Sequence, residues 1–311
     1  MEMRKILCSE LSKVMSNDDK VVVINADLAK AAGLSSLVRE FPNRCFNVGI
    51  AEQNMASVAS GLSSYGFNPF IFTFTPFASR RMCDQVAVSI CYSKQTVKIF
   101  GLDPGIVAEN NGGTHMSFED VGIYRSMPSM SIFEPCDEIQ LMKSFSYIVN
   151  FKGPLYVRLF RKETPKVLDE NYEFKPGFDD VLKEGTDVSI FCSGITVYES
   201  LKSYETLKSK GISSEVVNVH TVKPIDKESV LKSIRKTKCA VVAENHNKYG
   251  GLFSSLCEIS SEYFPIPIRS VSVNDEFGQV GNLNFLKEYY HLSSEDIVNN
   301  AIEVIKLKKV V

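Results

Sequence analysis

The sequence predicts an α/β protein of two units, each a mostly parallel sheet flanked by helices, and three observations carry that expectation. Short apolar runs alternate with amphipathic stretches along the chain, the pattern of a parallel sheet covered by helices on both faces. The 311 residues, 44% of them hydrophobic, suffice for two cores. A polar connection from Lys162-Glu-Thr-Pro165 to Lys175-Pro-Gly177 divides the chain near residue 175, giving units over 1–175 and 176–311.

In the first unit Lys20–Asn25, Pro69–Thr73, Thr96–Phe100, Met130–Phe133 and Pro154–Arg158 read as strands. Stretches at 4–16, 52–64, 78–92 and 137–149 read as the helices between them. In the second unit Asp187–Phe191, Ser214–Val219, Cys239–Ala243 and Ile268–Ser272 read as strands, with helices at 197–210, 226–236, 250–263 and 293–307. Val222-Lys-Pro-Ile-Asp226 looks like a helix start, and the glycines of Cys192-Ser-Gly194 and Gly250-Gly251 mark tight strand-to-helix turns.

Composition narrows the function. A formal charge of −2 gives no basic excess for nucleic acid or an anionic membrane, leaving small molecules or another protein as partners. The apolar runs are too short to span a bilayer. The first residues carry charges of both signs and lack the apolar core of a signal peptide, so a cytoplasmic location is expected. The eight cysteines are scattered without C-x-x-C or zinc-type spacing, so they read as reduced, buried thiols, and no metal site is expected on this chain.

The most informative stretch is Phe46-Asn47-Val48-Gly49-Ile50-Ala51-Glu52-Gln53-Asn54. It places Glu52 after a turn glycine, at the start of a mostly apolar helix, where desolvation keeps a proton available to donate. The plainer reading is a glutamate favoured by the positive end of a helix dipole. Phe74 and Phe77, in Thr73-Phe-Thr-Pro-Phe-Ala78, fall three apart at a strand-to-helix junction, where they either stack on a flat ring or fill a core. Asn111-Gly-Gly-Thr-His115 is a glycine-rich turn that can carry a histidine over a substrate, and Asp27 follows the first strand, where an aspartate also caps turns. His246, beside Glu244, reads as a hydrogen-bonded structural histidine more readily than as a base.

Val48-Gly-Ile-Ala-Glu-Gln-Asn-Met55 resembles the glutamate motif in the pyrimidine-binding domain of thiamine-diphosphate enzymes, closest to the separately encoded C-terminal half of split transketolases. The second unit resembles the transketolase C-terminal domain in Cys192-Ser-Gly194, Val222-Lys-Pro-Ile-Asp226, Glu244-Asn-His246 and Asp275-Glu-Phe-Gly278, and is expected to support dimerisation rather than chemistry. The resemblance implies transfer of a two-carbon ketol unit from a ketose donor to an aldose acceptor. It implies Glu52 as the acid that activates the cofactor, Phe77 as the ring stacked on the aminopyrimidine, Phe74 lining the same pocket, and Asp27 near the cofactor at the subunit interface. His115 matches the Gly-x-Thr-His of transketolases and deoxyxylulose-phosphate synthases, a donor or acid–base group that the beta subunits of pyruvate dehydrogenase lack.

Three departures concern the substrate. Asn111 stands where the family has an aspartate that reads a substrate hydroxyl, Asp103 replaces a histidine, and Ala31 replaces a serine, the last two positions serving substrate phosphate. Arg161 matches the family's phosphate-binding arginine, though an interdomain ion pair is its plainer reading. An acidic Asp103 is expected to repel a phosphate. The chain has no Gly-Asp-Gly for Mg²⁺ and diphosphate, so the resemblance implies that an N-terminal diphosphate-binding subunit holds both, in a two-plus-two heterotetramer. The alternatives are a 2-oxo-acid dehydrogenase beta subunit, a deoxyxylulose-phosphate-synthase-like enzyme, or a non-catalytic scaffold.

Overall fold

The structure, a computed structural model, describes residues 1–308. The first half supplies β1 (Val21–Asn25), β2 (Cys45–Asn47), β3 (Asn68–Phe74), β4 (Lys98–Leu102), β5 (Ser131–Phe133) and β6 (Leu155–Leu159). The second supplies β7 (Asp180–Lys183), β8 (Val188–Cys192), β9 (Ser214–Asn218), β10 (Thr221–Lys223), β11 (Ala240–Asn247) and β12 (Ile268–Val273). Among the described residues these form two sheets, ordered β10-β5-β6-β4-β3-β1-β2 and β12-β11-β8-β9-β7. The pairs β10/β5 and β7/β9 are antiparallel and the others parallel.

The sequence pattern explains the layering. Every residue of β1, β4, β6, β8 and β9 is buried, which requires cover on both faces and yields continuous apolar runs rather than alternation. Asp137 caps helix Glu138–Asn150 by accepting from Gln140 N at 2.9 Å, and its other oxygen accepts from the amides of Val167 and Leu168 at 2.9 and 2.7 Å. One carboxylate thus starts a helix and pins the polar connection to the first half. Asp226 caps helix Lys227–Thr237 through Ser229 N at 3.1 Å, the helix start read from the Lys-Pro-Ile-Asp segment.

Three strands escape the sequence pattern: β2, β7 and β10 have three or four residues each, too few to display a period. The third matters most, because β10 leaves the second half to extend the first sheet. The expected helix over 78–92 is broken into π-helical turns at Phe77–Arg81 and Val86–Tyr92 around a short α turn at Cys83–Gln85. Two carbonyls near its start accept side chains, Thr75 from Ser79 Oγ at 2.7 Å and Ala78 from the Tyr124 hydroxyl. Among the described residues no helix is long and apolar enough to cross a membrane.

Candidate active site

The C-terminal ends of the parallel strands of the first sheet converge on one edge, where open α/β sheets gather ligands. β1 leads to Asp27, β2 to Gly49 and the helix Glu52–Ser64, β3 to Phe74 and Phe77, β4 to Asp103 and the loop of Asn111 and His115, and β6 to Arg161. Asp27 and Asp103 both adopt positive φ, 59° and 52°, a conformation that costs a non-glycine residue roughly 1 kcal/mol or more and is held by surrounding contacts. For Asp27 the contact is Asn47, whose side-chain oxygen accepts from the amides of Asp27 and Gly49 at 2.9 and 3.0 Å. That one amide fixes the turns after β1 and β2 together.

Glu52 opens its helix and is 2% exposed. Its Oε1 accepts from Arg81 Nη1 at 2.8 Å, while its Oε2 is buried and has no hydrogen-bond partner among the described residues. The guanidinium of Arg81 also lies over the ring of Phe77, 4.0 Å from the centroid. Phe77, Phe74 and His115 form an edge-to-face cluster with centroids 5.3, 5.6 and 6.2 Å apart, within the range of favourable aromatic contacts. Thr114 Oγ1 engages His115 Nδ1 at 2.9 Å. Beside them opens a cavity of about 720 Å³ lined by Pro76, Phe77, Arg80, Arg81, Gly113, Thr114 and Phe277. A buried carboxyl oxygen with no partner, next to an aromatic face, suits a flat nitrogen heterocycle that both stacks and hydrogen-bonds.

Arg161 and Asp103 are one unit. Arg161 Nε and Nη2 meet Asp103 Oδ2 at 2.7 and 2.5 Å, the Arg161 amide donates to Oδ1 at 3.0 Å, and Nη1 donates to the Ala31 carbonyl at 2.9 Å. The Arg161 guanidinium also stacks over Phe74 at 4.7 Å. Asp103 is 1% exposed, and burial raises its carboxyl above the ordinary carboxylate range while Arg161 pulls it down. The expectation of a bare negative charge facing the substrate therefore needs correction: Asp103 is an internal counter-ion to Arg161, whose own side chain is 12% exposed. Ala31 contributes its carbonyl rather than its side chain. Asp27 and Asn111 are exposed on the neighbouring loops.

Several groups at this edge are not among the candidate site residues read from the sequence. Phe277, 88% exposed, reaches the cavity from the second half, and a Cβ at Gly113 would strike the Gly278 carbonyl, so the two glycine loops close one wall together. Arg80 pairs with Glu119 at 2.9 Å. Deeper in the seam, Arg158 bonds Asp120, Glu134 and the Asn245 carbonyl at 2.7–3.3 Å. Burial works against its charge, but Asp120 and Glu134 outweigh it and raise its pKa. His246 is buried, accepts from Gly122 N at 3.3 Å, faces the Asn247 carbonyl through Nδ1 at 2.7 Å, and is pushed down to about 4 by burial. It is a neutral strut at neutral pH, and Glu244 beside it caps helix Leu252–Tyr263 through the amides of Leu252 and Phe253 at 2.7 and 3.0 Å.

Edge loops, a buried carboxyl at a helix start and an aromatic shelf beside an open cavity fit the class of cofactor-dependent transferases. Residues 1–166 match the transketolase pyrimidine binding domain and residues 179–297 the transketolase C-terminal domain, and the chain belongs to the transketolase family. It is 46% identical over 298 residues to the 6-deoxy-6-sulfo-D-fructose transketolase subunit SqwH of Clostridium sp. (strain MSTE9), covering 96% of this chain and 92% of that one. It is 32% identical to one of the subunits of the apulose-4-phosphate transketolase of Actinobacillus succinogenes, covering 96% and 97%. The solved structure of a split gene transketolase, described as an inactive beta4 tetramer, superimposes with a TM-score of 0.90 at 38% identity and covers 99% of both chains. The protein is thus the C-terminal subunit of a two-component, thiamine-diphosphate-dependent transketolase, which transfers a two-carbon ketol unit and works with a partner subunit in an oligomer.

Proposed function

We propose that this chain supplies the proton-handling and ring-stacking half of the transketolase centre, with residues 1–175 as the pyrimidine-binding unit and 176–311 as the C-terminal unit. The observation that carries the reading is the buried, unpartnered Oε2 of Glu52 in a carboxylate that shares Arg81 with the ring of Phe77. An orphaned buried oxygen is costly unless a ligand meets it, and an aminopyrimidine meets it while stacking on Phe77. When bound, the cofactor supplies carbanion stabilisation for breaking and making the carbon–carbon bond.

Around it, Glu52 holds and exchanges a proton at the ring nitrogen, Phe77 stacks on the ring, and Phe74 keeps Phe77 in place. His115, with Nδ1 engaged by Thr114, presents Nε2 as acid–base or oxyanion donor to a substrate oxygen. Asp27 serves the cofactor at the subunit interface, and Asn111 reads a substrate hydroxyl. The diphosphate and Mg²⁺ belong mainly to the N-terminal partner subunit, in a two-plus-two heterotetramer in the cytoplasm. Arg161, oriented by Asp103 and the Ala31 carbonyl, binds the anionic end of the sugar.

The same pair supports a substrate class. A phosphate monoester carries about −1.5 to −2 charge at neutral pH, a sulfonate carries one, and an arginine already half-neutralised by Asp103 suits the single charge. The similarity to a sulfofructose transketolase subunit points the same way, so the donor we propose is a ketose ending in a sulfonate. Glu52→Gln in the reconstituted pair tests the acid: turnover should fall by at least ~10²-fold with fold and assembly unchanged. Wild-type turnover would reduce Glu52 to a structural role.

A further inference from the structure

We propose that Arg81 is a placeholder for the aminopyrimidine: its guanidinium, stacked on Phe77 and bonded to Glu52 Oε1, holds the place through which the ring reaches the free Oε2, and it swings out when the ring enters. The proposal rests on the reading of Glu52 and Phe77 given above. Two contacts define it. The guanidinium plane covers the Phe77 ring at 4.0 Å, and Nη1 donates to Glu52 Oε1 at 2.8 Å. A guanidinium is flat, stacks on aromatic faces and presents N–H donors along its edge, the features by which a protonated or amino-substituted pyrimidine would satisfy the same two residues.

Phe74 and His115 meet Phe77 edge-to-face at interplanar angles of 68° and 67°, whereas the Arg81 guanidinium lies over its ring, and Phe77 and Arg81 both line the 720 Å³ cavity. Burial separates the partners: Glu52 is 2% exposed at its side chain and Arg81 43%. The acid is therefore fixed, and the base is free to leave on a long stem without backbone movement. Arg80 next to it is already held by Glu119, so the departing side chain is Arg81 alone. In the unloaded chain the pair keeps a buried carboxylate compensated and the acid in its working rotamer. In exchange, the ring must displace the guanidinium, which lowers the apparent cofactor affinity by the fraction of chains in which it is still stacked.

Calorimetric titration of the reconstituted two-component enzyme with thiamine diphosphate and Mg²⁺ tests this. Arg81→Met keeps the length and apolar stem but removes the planar charge, and should bind the cofactor about tenfold more tightly, as expected for losing one stacked cation and one half-exposed ion pair. Its unloaded complex should also melt earlier than wild type, while the loaded complexes melt alike. Equal or weaker cofactor binding in Arg81→Met overturns the proposal, since Arg81 would then be idle or a contact of the bound cofactor. If that variant does not assemble, Arg81→Lys, charged but unable to lie flat, should show a smaller tightening, and none would overturn the proposal equally. Glu52→Gln run alongside separates the two readings. Normal turnover there removes the role of Glu52, whereas impaired turnover with no tightening in Arg81→Met removes only the placeholder.

Discussion

Two arginine–carboxylate clusters stand at the same edge of the first sheet and differ in how completely they are closed. Around Arg158 every carboxylate oxygen is met: Asp120 by Arg158 and the Tyr156 hydroxyl, Glu134 by Arg158 and Ser193 Oγ at 2.9 Å. The side chains of Arg158 and Asp120 are 1% and 0% exposed. Around Arg81 one oxygen of Glu52 is left over, and the arginine is 43% exposed. The uses proposed for these chemically similar pairs are therefore opposite. A fully satisfied buried network specifies how two halves of a chain fit together, while a partly satisfied one at a cavity wall waits for a ligand.

The sharpest way to break this comparison is at the seam. Arg158→Met should destabilise the folded chain by about 3–5 kcal/mol, because two buried carboxylates lose their counter-charge. The midpoint of urea unfolding would show it. An unshifted midpoint would mean that the cluster is not what joins the halves.

A matched pair of glutamates sharpens the contrast. Both Glu52 and Glu244 are buried at 2% exposure, yet Glu244 commits both oxygens to helix amides, and burial pushes its carboxyl up to about 7. Glu52→Gln should cost ~10²-fold in turnover and little stability. Glu244→Gln should cost stability on the order of 1–3 kcal/mol and leave turnover per folded molecule nearly intact. If the two variants trade places, hydrogen-bond closure does not distinguish site from scaffold here.

These differences also explain what is legible in the sequence. Glu52, Phe74, Phe77 and His115 lie in short contiguous segments, and it is the resemblance of those segments to a family motif, rather than local order alone, that singles them out as candidates. Both sheets and most helices are legible because strands buried on both faces write themselves as apolar runs. Arg81 stands beside a motif without a signal of its own, and Phe277, inside Asp275-Glu-Phe-Gly278, marks the fold but not the cavity, since their contacts come from residues 29 and more than 160 positions away. A carboxylate's sign is visible at Asp103, but its partner Arg161 lies 58 residues on, and that contact turns a repulsive group into an orienting one. The π turns after Phe77 escape for another reason: they shift a helical register without changing composition.

A smaller effect concerns His220, where the second half packs on the first. Its ring lies 4.9 and 5.7 Å from those of Phe174 and Phe133, Nδ1 meets Thr221 Oγ1 at 2.8 Å, and Nε2 has no partner among the described residues. Burial pushes it down to about 4 from the ordinary 6.5. Below pH 6.5 the unfolded chain takes up a proton that the folded chain refuses, so stability present above 6.5 is lost as pH falls toward 4, on the order of 1–3 kcal/mol. His220→Phe keeps an aromatic ring in the cluster and should flatten part of that slope, leaving His246 to provide the rest. An identical melting profile from pH 7 to pH 4 would remove His220 from the account.

The smallest expected effect tests the third pair, intermediate between the other two, in which Arg161 is 12% and Asp103 2% exposed at the side chain. Asp103→Asn keeps the shape and one acceptor oxygen for Arg161 but deletes the counter-charge. A less neutralised guanidinium attracts a doubly charged terminus more than a singly charged one, and the gain is about 1 kcal/mol for a charge-assisted contact near a surface. The ratio of kcat/KM for a phosphate-terminated ketose to that for its sulfonate-terminated counterpart should therefore rise by about fivefold, measured with the partner subunit present. Arginine in contact with the sugar's anionic end requires that direction. A ratio that stays level or falls would move the anionic end of the substrate away from Arg161, toward the cavity wall lined by Arg80 and Arg81.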